Sequence, residues 1–439
     1  MEDQNEFEQQ RRVAEVTDAG AIYASRAVAA GPLIFFGGTA YGEAGTLAGE
    51  AVVDPPYHLS PGAAVTKQGS FLFSRATEQL ADLGSSVDQI VQVEQFIPAK
   101  AYADGHVTNR SRFLATARPT TMMGATGQMV PEGSVLAMFG VAANPSAGCS
   151  KELAPLPPEE AGGAIDWSVL GEAYSDGPPY TDVVLAGPYV FVTGDVTLDA
   201  TTGEVEEAAR VADWIWAGSE ARNEASVLLE RLAMRLERLG ASLTDVVHVT
   251  LFVTDIKDIF DVDQSWERLF GATPPARTVV PVRGVGVPRR EGTNMGHGDR
   301  AVKLEHQVRG IRPGLGVERN PIRSSIGPLA REEEAVAAGE LMWLSHQYPR
   351  RSAGGSLDDQ VEEVFTRISE LCAEAGTSIK HLAQLRVFCL EESAAAVVSA
   401  KLRELLPGEP PVVGVMTVPG PLLIPGAELF VDGVVQIPG

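Results

Sequence analysis

Along three stretches of the chain, apolar and polar positions fall into one pattern. Leu83–Ile97 reads LGSSVDQIVQVEQFI, Leu239–Val253 reads LGASLTDVVHVTLFV and Ala375–Cys389 reads AGTSIKHLAQLRVFC. Each is a glycine turn, a polar pair and then alternating apolar positions, which predicts a helix stop feeding a half-buried strand. A second phrase precedes each of them: AAGPLIFFGGTA at Ala29–Ala40, LAGPYVFVTGDV at Leu185–Val196 and AAGELMWLSHQY at Ala337–Tyr348. Two phrases recurring in the same order at similar separations predict a threefold tandem repeat.

In the first repeat, after a short polar arm, Ala21–Ala30 and Pro32–Thr39 read as strands, the second with a Gly37-Gly38 pair that suits a bulge. Val65–Leu83 carries Phe71, Leu72, Ala76, Leu80 and Leu83 at helical spacing, so it should lie amphipathically over a sheet. A second helix over Ala101–Ala115 and strands at Thr120–Thr126 and Ser134–Ala142 complete the unit. The matching helices are expected at Ala221–Leu239 and Ile259–Phe270, and again at Leu357–Ala375 and Ala394–Leu406. Ala143–Pro179, which contains PLPPEEAGG, has linker composition. The expected domains are therefore 15–145, 165–312 and 324–439. In the second, a Gly- and Arg-rich insertion at Arg283–Arg300 is longer than its counterparts and is expected to act as a lid.

Composition narrows the partners. With 439 residues, 44% hydrophobic and 21% charged, the chain has the make-up of a soluble globular protein, and each repeat is long enough to build a core. A net charge of -23 argues against nucleic acid or an anionic membrane as partner. It leaves room for a small anion, because close hydrogen-bonded Arg pairs outweigh a screened distant field. Cys149, Cys372 and Cys389 show neither a disulfide framework nor a zinc spacing. These spacings imply no metal, and no glycine run opens a helix after a strand as a nucleotide loop would, so neither a metal nor a nucleotide cofactor is expected. The acidic opening MEDQNEFEQQRR and the lack of a long apolar window predict a cytoplasmic protein.

The element order, the phrases GSSVDQIVQV and GASLTDVVHV, and PPART at Pro274–Thr278 together resemble the RidA family, also called the YjgF family. The resemblance covers nearly the whole chain. It implies an α+β fold of three tandem RidA-like (chorismate-mutase-like) domains forming an intramolecular pseudotrimer, with a β-barrel-like core, outer helices and a small-ligand site in each interface cleft. It also implies the family chemistry, hydrolysis of reactive enamines and imines to ketoacids and ammonia. There an Arg fork binds the substrate carboxylate, and a carboxylic acid positions water and moves protons.

Carried over residue by residue, the resemblance makes the second repeat the complete one. Arg277 matches the carboxylate-binding Arg, and Glu305, in VKLEHQV, matches the acid of the last strand. Tyr180 matches an aromatic near the first strand, Thr193 replaces the usual Ser, and Asp263 stands where the family often has Asn. In the first repeat Thr120 or Thr121 takes the Arg position and Phe139 the acid position. In the third, GEPPVVG has no Arg, although Ser345 matches the Ser and Asp432 falls at the acid position. The expected catalytic residues are Arg277, Glu305 and Thr193, with Tyr180, Asp263, Ser345, Asp432 and His297 as further substrate-binding candidates. His297 and His346 also read as a solvated and a packed histidine, and Met122-Met123 and the Trp214/Trp216 pair read as packing.

Two other readings stay open. One is another pseudotrimeric enzyme, cyanurate-hydrolase-like or chorismatase-like, and the other is a ligand-binding protein without catalysis, since fold alone does not choose. In each case the expected partner is a small molecule, and the expected state is a monomeric pseudotrimer from which a higher oligomer can be built.

Overall fold

The computed structural model describes residues 11–154, 180–198, 205–212, 218–285 and 302–438. The first stretch runs β1 (Arg12–Ala19), β2 (Ile22–Ala30), β3 (Leu33–Thr39), α1 (Pro61–Asp82), β4 (Ile90–Ile97), α2 (Ala103–Phe113), β5 (Thr120–Ala125) and β6 (Ala137–Ala143). After the short β7 (Lys151–Leu153), the second runs β8 (Val183–Ala186), β9 (Tyr189–Asp195), α3 (Glu220–Glu237), β10 (Val246–Val253), α4 (Ile259–Phe270), β11 (Ala276–Pro281), β12 (Gly284–Val285) and β13 (Leu304–Ile311). The third begins with β14 (Arg319–Ile322) and runs β15 (Ala335–Ala338), β16 (Leu341–Gln347), α5 (Leu357–Glu374), β17 (Leu382–Cys389), α6 (Ala394–Leu405), β18 (Val412–Thr417) and β19 (Leu429–Gln436).

The long helices form where the apolar spacing places them, and each starts and stops by the same device. Ser60, Ser219 and Ser356 cap α1, α3 and α5, their hydroxyls accepting the N–H of Ala63 at 3.3 Å, Arg222 at 3.3 Å and Asp359 at 3.2 Å. Beyond the helix ends, Gly84, Gly240 and Gly376 take φ of +80°, +71° and +73°, the left-handed turn that the glycine phrase calls for. Removing one cap, Ser356→Ala, should lower stability by about 1 kcal/mol, read as a fall in the urea midpoint at unchanged slope.

Hydrogen bonding orders the strands β5-β4-β6-β3-β2 in the first stretch, β11-β10-β13-β9-β8 in the second and β18-β17-β19-β16-β15 in the third. In each, the pair bridged by the shorter helix is parallel and the remaining pairs are antiparallel. The first and third stretches share one sheet, joined where Val412 of β18 pairs with Ser25 of β2. The second forms its own sheet, extended by β7, except that its β12 pairs with β5 at the edge of the larger sheet, and neither sheet closes on itself among the described residues. One strand was hidden in the sequence: the polar arm forms β1, held along β2 by backbone pairing although most of its side chains are not buried.

Each stretch meets the next through one repeated bond. Thr181 N–H donates to the Pro119 carbonyl at 3.2 Å, Glu333 to Pro275 at 3.1 Å and Ser25 to Pro411 at 2.9 Å. First strand thus meets parallel-pair edge from first to second, second to third and third back to first. Between them lie equivalent positions of β4, β10 and β17. The Phe96 ring packs 5.6 Å from Phe252 and 5.7 Å from Phe388. Two residues earlier on each strand stand Glu94, Thr250 and Arg386. Arg386 Nη1 donates to Glu94 Oε2 at 2.6 Å and Nη2 to Thr250 Oγ1 at 3.3 Å, and Arg309 Nη2 donates to the same Glu94 oxygen at 2.8 Å. Two residues earlier again, Gln92 and His248 both bond Arg309, at 2.7 and 3.0 Å. No helix among the described residues is long and apolar enough to cross a membrane.

Candidate functional site

The junction of the second and third stretches carries a second buried cluster of charged side chains, apart from the central one. Arg277 lies on β11 opposite Val249 of β10, on the face covered by α4, and its guanidinium carbon sits 4.6 Å from the centre of the Trp266 ring. Its Nη1 donates to Asp263 Oδ1 at 2.7 Å and its Nη2 to Glu332 Oε2 at 2.8 Å. Burial lowers the pKa of Arg277, and the two carboxylates more than restore it, so the group stays charged. Burial pushes the Glu332 carboxyl up, but Arg277 and then His346 and the Ala330 N–H outweigh it and hold it at about 2. His346 accepts the Val279 N–H on Nδ1 at 3.1 Å, which leaves Nε2 as the N–H end, 3.5 Å from Glu332 Oε1. Of the two carboxylates on Arg277, Asp263 is the more open, its side chain 18% exposed against 1% for Glu332.

Glu305 stands elsewhere. It pairs with Phe252, three positions along β10 from the partner of Arg277. Side chains alternate between the faces of a sheet, so Arg277 and Glu305 leave opposite faces of their own sheet. Glu305 faces the first stretch: a Cβ added to Gly194 would lie 2.6 Å from Glu305 Oε1 and 2.8 Å from the Thr121 carbonyl. Thr193 closes the same junction, its hydroxyl donating to the Thr121 carbonyl and accepting the Thr121 N–H, both at 3.1 Å. Tyr180, half-buried, immediately precedes Thr181 at that junction. The expected partnership of Arg277 with Glu305 is therefore divided between two junctions.

Strand pairing also corrects the acid position in the other repeats. Equivalent Phe252, Phe96 and Phe388 pair with Glu305, Ala137 and Phe430, whereas Asp432 and Phe139 pair with Arg386 and Glu94, the counterparts of Thr250. Asp432 and Phe139 therefore match Gln307, two residues along. Asp432 is bound through both oxygens by Arg386, with Nε to Oδ1 at 2.8 Å and a second contact from Nη2, and is 1% exposed. It is a core residue. Ser345 donates to the Glu334 carbonyl at 2.9 Å. His297, the Trp214/Trp216 pair and all but the first few residues of the Arg283–Arg300 insertion lie outside the described residues.

Sequence reasoning missed Glu332, although its signal was available. Setting YTDVVLAG against EEEAVAAG without a gap places Glu332 on Tyr180. The register agrees, because Ala335 pairs with Leu344 as Val183 pairs with Val192. Among the described residues no group of His, Cys, Asp and Glu is arranged to hold a metal.

Residues 172–290 match the family model described as Endoribonuclease L-PSP. A RutC family protein of Pyrococcus abyssi is 30% identical over 104 residues, covering 24% of this chain and 73% of that protein. Protein DfrA of Myxococcus xanthus is 32% identical over 106 residues, 24% of this chain and 72% of that one. The putative reactive intermediate deaminase TdcF of Escherichia coli K12 is 26% identical over 107 residues, 24% and 74%. Among solved structures, a chorismatase aligns over 80% of this chain and 93% of its own at 11% identity and a TM-score of 0.48. Through its second stretch, which holds Arg277 and the PPART phrase, the chain belongs to the RutC family, the relatives of endoribonuclease L-PSP.

Proposed function

We propose that the three stretches, at about 15–145, 165–312 and 324–439, are three copies of the family fold forming an intramolecular pseudotrimer around a barrel-like core. The recurring strand order and the ring of three junction bonds support this arrangement. We propose further that the chain is an enzyme that hydrolyses a reactive enamine or imine to a carbonyl compound and ammonia; the name of the TdcF relative, reactive intermediate deaminase, supports the deaminating class.

The observation that carries this reading is Arg277, buried at a junction between copies, stacked on Trp266 and flanked by one closed and one open carboxylate. An imine carbon is already electrophilic, so what it needs is position and a group that takes the proton of the attacking water. Asp263 is placed for the second task, because one of its oxygens is fixed by Arg277 while the carboxylate reaches solvent. Arg277 keeps its charge throughout and serves to position Asp263 and to close the cleft. Imines formed in situ by an amino-acid oxidase or an amine oxidase, with semicarbazide competing for them, test the activity. The chain should speed ammonia release and lower semicarbazone yield. If it does neither for both kinds of imine, the hydrolase reading fails.

A further inference from the structure

We infer that Glu332 is the specificity-determining residue of this cleft: it occupies the carboxylate position of the Arg277 fork from within the chain, so the cleft takes substrates that lack a carboxylate, the protonated imines of amines. The substrate class rests on the hydrolase reading; the occupied fork does not.

The three junctions supply the internal comparison. The residue before each bonding N–H is Ala24, Tyr180 or Glu332, and the residue two after each accepting proline is Val413, Thr121 or Arg277. The pairs are thus Ala24 with Val413, Tyr180 with Thr121, and Glu332 with Arg277. Charge appears at one junction, and on both partners together. Both oxygens of Glu332 are engaged, Oε2 by Arg277 Nη2 at 2.8 Å and Oε1 by the Ala330 N–H at 2.9 Å, with His346 Nε2 behind it at 3.5 Å. Asp263 takes the other terminal nitrogen of Arg277. An entering carboxylate would have to displace one of these charge-assisted bonds, and the trio of one guanidinium and two carboxylates already sums to one negative charge. A cation meets the opposite field, and the buried Tyr348 and Phe430 rings packed around His346 keep the back of the cluster dry.

The reaction balances without another reagent: R–CH=NH2⁺ and water give R–CHO and NH4⁺. Water oxygen bonds to the imine carbon as the C=N π pair moves to nitrogen, and the water proton passes to Asp263. Asp263 returns it to nitrogen, the C–N bond breaks with its pair leaving on ammonia, and the hydroxyl proton goes to that ammonia as C=O forms.

The test is carboxylate rescue. Glu332→Ala, the residue this chain already carries at the equivalent Ala24, should melt lower than the parent in chloride. It should gain at least about 3 °C when acetate replaces chloride at equal ionic strength, while the parent does not respond. The parent should favour amine-derived over amino-acid-derived imines by about tenfold or more, and Glu332→Ala should lose that preference. Equal acetate response in variant and parent overturns the occupied fork, and parent turnover of both imine kinds at similar rates overturns the substrate class. If the parent hydrolyses neither but acetate rescues the variant selectively, the hydrolase reading and the substrate class fall together and the occupied fork stands. Should Glu332→Ala fold only in acetate, that is rescue; should it and Glu332→Ser both fail to fold in acetate, the inference fails.

Discussion

Glu94→Ala should lower the stability of the whole chain by about 3–5 kcal/mol, because it removes the carboxylate shared by two buried guanidinium groups from different stretches. Arg309 and Arg386 both donate to Glu94 Oε2, at 2.8 and 2.6 Å, and Arg309 is left with neutral partners, Gln92 and His248, once that oxygen is gone. Arg386 keeps Asp432. The loss should therefore exceed that of a surface pair such as Arg268–Glu230, where screening and side-chain entropy leave about 1 kcal/mol or less. Urea titrations of Glu94→Ala and Glu230→Ala separate the cases, and equal small losses would mean that the central ion network adds nothing to assembly. A replacement of the entire network by packed apolar residues need not follow this rule, since desolvation of the ions would be recovered as well.

The same groups set the acid limb of stability. Burial pushes Glu94 up, but Arg309 and Arg386 outweigh it and hold it at about 2, as Arg277 does for Glu332. A carboxyl held below its ordinary 4.5 stabilises the fold above that pH and loses its contribution as pH falls from 4.5 towards 2. Burial lowers His106 to about 3 and His306 to about 4, with His248 also well below 6.5, so their contributions are complete above 6.5 and fade below it. Glu224 works the other way, raised by burial to about 7, and gives back stability as pH falls from 7 to 4.5. Glu340 and Asp182, also raised by burial, act with Glu224 against the three histidines, so the acid loss that stands out should be the one below 4.5, where Glu94 and Glu332 lose their ion-pair contributions. Glu94→Gln should flatten that limb.

Helices and most strands were legible because apolar spacing and the Ser and Gly end signals are local, and local chemistry is what a sequence displays. Gln92 and Glu94 were not read as interior because polar residues alternating along a strand usually mark its wet face, and only assembly with the second and third stretches reveals that this face is dry. Asp432 is the sole acid of its last strand and so reads as the counterpart of Glu305, yet register is decided by pairing with β17, and it falls two residues away. Glu332 is hidden for the opposite reason: it stands where the resemblance implies an aromatic, so residue type alone does not mark it as the carboxylate that holds Arg277.

The division of Arg277 and Glu305 between junctions leads to an asymmetric expectation. On the proposed hydrolase reading, Arg277→Lys should cut imine turnover by about a hundredfold or more, because a point charge cannot bridge Asp263 and Glu332 as the planar fork does, nor stack on Trp266 in the same way. Glu305→Gln should change it by less than about twofold, since Glu305 lies against Gly194 and Thr121 at the other junction and keeps its shape as an amide. The rates, measured on one imine with folding checked by melting, distinguish this from a single site. Two groups of one catalytic unit would each abolish turnover and together do little more, whereas residues in separate clefts leave the double variant indistinguishable from Arg277→Lys alone. If Glu305→Gln proves the damaging change and Arg277→Lys the silent one, the chemistry belongs to the first-to-second junction, where Thr193 and Tyr180 stand and the fork position is Thr121.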